Sequence, residues 1–252
     1  MIPGHLLGIE ARKLTRSVVT RVATATSLIL VPATSAGGYA AATLAPDTQV
    51  GTKAAGLMAA VGWSGLTELA ATGTGVTILL AAGIVASWLV GREFTDGTVV
   101  GLFALPVSPG TIALAKLLVI TAWSAALAVA SGVLTALAGI CLGLPVTGAA
   151  GCAGAITLVG VLLGAGALPM AWFATLGRGY LAGIAAALGI VIVTNLAIGL
   201  GIGTLIPWAT PVLWVTPGGN TPSLALLLPL AAGLAGAILT TRSWGRLELG
   251  NR

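Results

Sequence analysis

Charged side chains are scarce in this sequence. Eleven Lys and Arg and six Asp and Glu make up only 7% of the 252 residues, whereas 57% are hydrophobic. A soluble domain carries about 25% charged residues, because its surface must remain in water. The composition therefore excludes an ordinary soluble fold, and the high hydrophobicity excludes a disordered chain. It indicates an integral membrane protein.

Residues that several enzyme classes require are also missing. His5 is the single histidine and precedes the first apolar run, so a His-ligated zinc site or a Ser-His protease within the membrane cannot form. None of the three lysines follows a glycine, which excludes the Gly-Lys-Ser/Thr sequence of a phosphate-binding P-loop. We expect no catalytic, cofactor-binding or metal-binding residue in this chain, and hence no enzyme.

Cysteines and intramembrane polar groups are few. The two cysteines, Cys141 and Cys152, flank a short predicted hairpin; they could pair, although a buried cysteine is usually a small apolar residue. Glu68 lies at the edge of an apolar run, where a carboxylate at the headgroup level is favoured over an ion-coupling site. Asn195 lies deeper, and a hydrogen bond between helices is favoured over substrate binding.

Long uncharged segments account for most of the chain. They cover residues 22–46, 69–91, 117–177 and 179–241. A spanning helix needs about 20 apolar residues, so the first two segments hold one span each and the longer two hold two each. We predict an all-α integral membrane protein with a single transmembrane domain over 1–252 and Pro169 as a kink in its fourth span. The six predicted spans are 22–44, 67–90, 114–141, 151–176, 180–205 and 223–241.

The positive charges are sorted between the two ends of these spans. With six spans, ten of the eleven Lys and Arg fall on the side that holds both termini, and Lys53 alone falls on the other. Because positive residues are retained on the cytoplasmic side, we predict cytoplasmic N and C termini. The net charge of +5 then reflects membrane orientation, and no nucleic-acid partner is expected.

Residues 1–20 are predicted to form an amphipathic helix in the membrane interface. An apolar stripe recurs at helical spacing, at Leu7, Ala11, Leu14 and Val18. The polar residues assigned to this interfacial helix are Glu10, Arg12, Lys13 and Arg16. Such a helix places basic side chains towards anionic headgroups; the alternative is a solvated basic tail.

The loop at 91–110 joins spans two and three and combines charged with apolar residues. As a continuous helix it would place Phe94, Thr98, Gly101 and Leu105 on one face. The other face would carry Arg92, Glu93 and Asp96, with Val99, Val100 and Phe103 on the charged side. Exposed apolar groups beside charges favour a protein-docking surface. The alternative is a short interfacial helix that caps the bundle.

Specific motifs in this region resemble a known family. Arg92-Glu-Phe-x-Asp-Gly-Thr, then Ala104-Leu-Pro-Val-Ser, then Ile112-Ala-Leu-Ala-Lys116 is similar to the signature of ABC-2 type transporter permeases. Ile9-Glu-Ala-Arg-Lys-Leu-Thr-Arg16 resembles the short connecting helix before that family's first span. In place of the Arg that the family often has after Pro-Val-Ser, this chain has Pro109-Gly110.

The resemblance implies the permease subunit of an ABC exporter in the bacterial inner membrane. It would pair with a second permease copy, as a homo- or heterodimer, and with a separate cytosolic ATPase that hydrolyses ATP. Glu93 and Asp96 would contact basic groups of that ATPase, and Val100 and Phe103 would fill its groove. The residues implied in ATPase coupling are Arg92, Glu93, Phe94, Asp96, Gly97, Thr98, Val100 and Phe103.

The substrate and the class of protein are less closely constrained. Apolar spans favour efflux of a hydrophobic or amphipathic compound, such as an antibiotic, a drug or a peptide, although the resembled family also moves lipid-linked polysaccharides. A membrane scaffold without an ATPase partner is one alternative. A secondary transporter is another, which the scarcity of intramembrane charges disfavours.

Overall fold

The computed structural model describes residues 4–102, 104, 106–216 and 221–247. These residues are mainly helical and contain no β-strand. Their α-helices are α1 (Gly4–Arg16), α2 (Val18–Leu44), α3 (Gln49–Ala55), α4 (Trp63–Thr95), α5 (Val99–Leu102), α6 (Pro109–Cys141), α7 (Ala149–Gly166), α8 (Pro169–Leu176), α9 (Tyr180–Gly199), α10 (Thr210–Val215) and α11 (Leu227–Gly245). Short 3₁₀ turns lie at Val146–Gly148, Gly203–Leu205 and Ser223–Leu226.

Six segments of the described chain are long and apolar enough to cross a membrane. They are α2, α4, α6, Val146–Leu176 (α7 with α8), α9 and Ser223–Gly245 (α11 with its preceding turn). The prediction of an all-helical protein with six spans is therefore confirmed.

Two of the spans are longer than the bilayer requires. α4 and α6 have 33 residues each and exceed the predicted bounds 67–90 and 114–141. At 1.5 Å per residue each is about 50 Å long, against a hydrocarbon core of about 30 Å. Each helix continues to a capping residue at its boundary. At the start of α6 this residue is Ser108, whose Oγ accepts the Thr111 N–H. The two helices therefore extend beyond the apolar layer.

α4 lies at the centre of the bundle and is its most buried span. It packs against α2, α6, α7, α8 and α9. The most extensive helix pair is α6 with α7, whose axes approach closely because Gly160 lies against Ala128 and Gly164 against Ser124. Small residues permit this approach in membrane helices, where dispersion contacts replace the hydrophobic effect between spans.

The fourth span is broken near Pro169, as predicted. α7 ends at Gly166 and α8 begins at Pro169, because proline has no N–H to continue the helical ladder. The break exposes the Gly166 carbonyl, which accepts a hydrogen bond of 2.8 Å from Trp208 Nε1. The segment before α10 thus folds back onto the bundle.

At the end of the bundle that carries Lys53, hydrogen bonds of polar side chains hold the connecting loops in place. Glu68 is 2% exposed, and its Oε2 accepts the Ala59 N–H at 2.7 Å, so this carboxylate holds the preceding loop. Tyr39 Oη accepts the Gly62 N–H at 3.0 Å. Trp63 Nε1 donates to the Pro145 carbonyl at 2.7 Å.

Three isolated side chains can also be placed. Asn195 is exposed and donates to the Val191 carbonyl of its own helix at 2.8 Å. The prediction of a hydrogen bond between helices is therefore wrong, because the amide reaches its own preceding turn. Cys141 is exposed, Cys152 is buried, and both thiols are free.

Candidate functional site

Four charged side chains meet at the end of the bundle where α1, the last turn of α4 and the second turn of α6 converge. Lys116 Nζ lies 2.8 Å from Glu10 Oε2 and 2.8 Å from Glu93 Oε1. Lys13 Nζ lies 2.9 Å from Glu10 Oε1 and 3.2 Å from Glu93 Oε1. The charges alternate and sum to zero, and we call Glu10, Lys13, Glu93 and Lys116 the charge ring.

Most of the charge ring is shielded from solvent. The side chains of Lys116, Glu10 and Glu93 are 0%, 2% and 6% exposed, and that of Lys13 is 36% exposed. Burial by itself lowers the pKa of Lys13, but the neighbouring carboxylates outweigh it and the pKa is raised. Buried charges are tolerated when each is paired, and removing one partner leaves an uncompensated charge.

The sequence of α1 delivers Glu10 to this position. The buried residues of α1 are Leu6, Glu10 and Leu14, which recur every four residues and so share one helical face. Of the predicted apolar stripe, Leu14 is buried, Leu7 is partly buried against the core and Val18 is 71% exposed. The buried face of α1 also carries the Glu10 carboxylate, which pairs with Lys116. Ser17 then ends α1 and caps α2 by accepting the Thr20 N–H.

The connection between α4 and α6 is interrupted rather than one continuous helix. α4 ends at Thr95, and Gly97 adopts φ +68°, a left-handed conformation that glycine enters without strain. α5 then occupies only Val99–Leu102. The continuous helix that would form those two faces is therefore interrupted between Thr95 and Val99, and Leu105 lies outside the described residues. Leu102 is buried and Val100 is 59% exposed, so α5 presents an apolar side chain to solvent.

A single hydroxyl connects this loop to the charge ring. Thr98 Oγ1 donates to Glu93 Oε2, while Glu93 Oε1 accepts from both lysines. Thr98 directly precedes α5. The exposed α5 is thus one hydrogen bond away from a carboxylate that is bound to α1 and α6.

The remaining predicted coupling residues occupy different environments. Arg92 lies over the Trp88 ring, 4.7 Å from its centroid, and 3.5 Å from Asp96 Oδ2. Phe94 meets the buried ring of Trp244 edge-on, with centroids 5.6 Å apart. Phe103 lies outside the described residues.

The expectation for Glu93 needs correction. Its carboxylate was expected to contact basic groups of a partner, but it is buried and engaged by Lys116, Lys13 and Thr98. Asp96 is the carboxylate of this region that remains exposed, at 49% of its side-chain area. Asp96 and Val100 thus remain accessible, and Thr98 joins their segment to Glu93.

Lys116 is the functional candidate that sequence reasoning did not place in the site. It is fully buried and binds two carboxylates. The sequence does contain a signal for this role, because a lysine within an apolar run is energetically costly unless it has a partner. Its partners could not be read from spacing, since Glu10 is 106 positions away.

The fold and the site together define a multi-pass membrane protein whose exposed loop is hydrogen-bonded through Thr98 to buried ion pairs among its helices. The sequence matches the family model described as "ABC-2 family transporter protein" over residues 6–194, three quarters of the chain. The chain belongs to this family, and the resemblance identified from its motifs is confirmed. No curated protein matches the sequence. The matched range contains the charge ring and α5.

Proposed function

We propose that this chain is the membrane-spanning permease subunit of an ATP-driven exporter, powered by a separate cytosolic ATPase. Membership of the transporter family supports a transport role. The sequence contains no Gly-Lys-Ser/Thr motif, so nucleotide hydrolysis is assigned to a partner. The observation that carries the proposal is the charge ring, which connects the exposed α5 to two spanning helices.

The charge ring provides a mechanical path from the partner to the spans. A partner that moves α5 displaces Thr98, which is bonded to Glu93 on α4. Glu93 is bound to Lys116 on α6, and Lys116 to Glu10 on α1. Because unpairing a buried charge is costly, the elements move together rather than separately. Closure of the ATPase would thereby change the packing of α4 against α6.

The segments that meet at the charge-ring end of the bundle support its placement on the cytoplasmic side. Gly91 near the end of α4 packs on the backbone of Tyr180, two residues after Arg178. Phe94 meets Trp244, two residues after Arg242 on α11. Basic residues from separate segments thus gather at the charge-ring end, as the positive-inside rule expects of a cytoplasmic surface.

The proposed cargo is a hydrophobic or amphipathic compound, such as an antibiotic, a drug or a peptide. The spans support this, because their mean hydropathies reach 2.3 and the described ionisable groups lie near the ends of the long helices. We further propose that two permease copies assemble with the ATPase in the bacterial inner membrane, as the family resemblance implies.

Two substitutions on the exposed surface test the coupling role. Asp96→Lys and Val100→Asp alter side chains that are 49% and 59% exposed, so the fold should be unaffected. Each variant should lower both recovery of the ATPase with the tagged permease and ATP-dependent transport. The ATPase is identified by mass spectrometry of wild-type complexes from native membranes.

The matched control is Val146→Asp, which places the same charge on a valine that is 69% exposed at the opposite end. It should leave ATPase recovery and transport unchanged. Undiminished recovery and transport in both Asp96→Lys and Val100→Asp would contradict the coupling role. Absence of any ATPase in wild-type complexes would instead favour a scaffold or a secondary transporter.

A further inference from the structure

An open groove runs along the junction of α2 and α4. Its apolar part has a volume of about 470 Å³ and is lined without any charged side chain, by residues such as Val19, Val22, Leu80 and Ile84. A second cavity of about 400 Å³ lies beyond it, between α1 and the end of α4, and is lined by Arg12, Lys13, Arg16, Arg92, Trp88, Ile9 and Ser17.

The two cavities are consecutive parts of one groove. On α4, Ile84 lines the apolar part while Trp88 and Arg92 line the basic part; the three are four residues apart and so share a helical face. On the other wall, Ser17 lines the basic part and the adjacent Val18 lines the apolar part. The groove therefore passes from a mainly apolar chamber without charged side chains to a cluster of four cations.

From this geometry we infer that the groove binds one anionic phospholipid. The phosphate lies among Arg12, Arg16 and Arg92, and an acyl chain occupies the apolar chamber. Basic pockets at the ends of membrane helices recognise anionic headgroups in this way. Trp88 stands at the boundary between the two parts, which suits an amphipathic ring at headgroup depth.

The dimensions of the apolar part fit a single leaflet. From Val76 to Trp88 the wall of α4 spans twelve residues, or about 18 Å. Half of the hydrocarbon core is about 15 Å thick. An acyl chain anchored at the basic end thus reaches the bilayer midplane within the groove.

Charge complementarity favours a lipid over a second copy of this chain as the occupant. Among the described carboxylates, Glu10, Glu68 and Glu93 are buried. Asp96 is already beside Arg92, and Asp47 lies at the opposite end of α2. The described surface of a second copy therefore offers the arginines no free acidic patch. Anionic lipid, in contrast, supplies negative headgroups throughout the leaflet.

The headgroup half of the inference is tested by native mass spectrometry of the purified chain in detergent. Dioleoyl phosphatidylglycerol should bind in preference to dioleoyl phosphatidylcholine. Arg12→Gln with Arg16→Gln should weaken the phosphatidylglycerol complex by about fivefold for each charge removed. The matched control is Arg242→Gln with Arg246→Gln, an arginine pair with the same spacing at the same end, which should retain the preference.

The apolar half is tested by filling the chamber. Ile84→Trp should abolish the tight phosphatidylglycerol complex, whereas Ile192→Trp, on an α9 side chain that is 58% exposed, should not. Glycerol phosphate, which has no acyl chains, should fail to displace the lipid. Thermal unfolding of each variant confirms that the fold is retained. These measurements need no ATPase, so they are independent of the proposed function.

Several results would overturn the inference. Equal binding of the two lipids, or equal loss in both arginine pairs, would show general surface electrostatics instead of a site. Unaltered binding in Ile84→Trp, or displacement by glycerol phosphate, would show that the apolar groove contributes nothing. Dissociation of a permease dimer by Ile84→Trp, with lipid binding intact, would assign the groove to a second copy.

Discussion

Replacing Lys116 by methionine removes the central cation of the charge ring while keeping an unbranched side chain of similar size. The ammonium group is 0% exposed and lies 2.8 Å from carboxylate oxygens of both Glu10 and Glu93. After the substitution, Lys13 alone faces these two carboxylates. The net charge of the ring falls from zero to −1, within a largely buried site.

The size of the effect follows from these distances. At an effective dielectric constant of about 20, each 2.8 Å contact of Lys116 contributes about 6 kcal/mol of Coulomb attraction. Desolvation of the three ions offsets much of this gain, and breaking a buried pair costs about 3–5 kcal/mol in practice. Since 1 kcal/mol shifts Tm by about 2–4 °C in a chain of this length, we expect Tm to fall by about 10 °C.

Thermal unfolding in detergent, followed by the fluorescence of the seven tryptophans, measures this change. Lys53→Met is the matched control, because Lys53 is exposed on α3 and such substitutions stay within about 0.5 kcal/mol. Adding Glu93→Gln to Lys116→Met leaves Glu10 and Lys13 as a neutral pair and should recover part of the lost Tm. Equal Tm values for the two methionine variants, or strictly additive losses in the double variant, would refute the electrostatic reasoning.

Three further outcomes are expected. Gly91→Ala should destabilise the protein by about 1–3 kcal/mol, because a Cβ there overlaps the Tyr180 backbone; a normal Tm would contradict this contact. Gly154→Ala, which meets no atom within 4 Å, should instead stabilise α7 by about 0.5–1 kcal/mol, and a lower Tm would count against that open position. A membrane-impermeant maleimide added to intact cells should label the exposed Cys141 but not the buried Cys152; labelling of Cys141 only after lysis would reverse the proposed orientation.

The spans could be predicted because the bilayer imposes a length and a composition on each of them locally. The uncharged runs predicted the number of spans. Pro169 predicted the break in the fourth span, because the missing N–H of a proline disrupts the helix that contains it. The helix ends at Thr95 and Pro109 were less predictable, because α4 and α6 continue past the apolar layer. Helical hydrogen bonding continues until a cap or a left-handed residue such as Gly97 ends it.

The candidate site was predictable in position but not in detail. The motif at 92–98 located the region, yet Glu93 was assigned to a partner surface although it pairs with Lys116. On α1, Glu10 was likewise counted with the polar residues of an interfacial helix, although its carboxylate is buried. Both errors have the same cause. A charged side chain that pairs with a residue from another segment can be buried, even where the hydrophobic pattern of its own helix predicts exposure.

Local composition is therefore sufficient to specify a helical membrane protein, the number of its spans and the sorting of its charges. These properties follow from transfer of each segment between water and hydrocarbon, which depends on that segment alone. The charge ring and the groove between α2 and α4 required the packing of segments distant in the chain, such as Glu10 and Lys116. Ion pairing depends on distance in space, and only the assembled bundle brings carboxylates of α1 and α4 within 3 Å of Lys116 on α6.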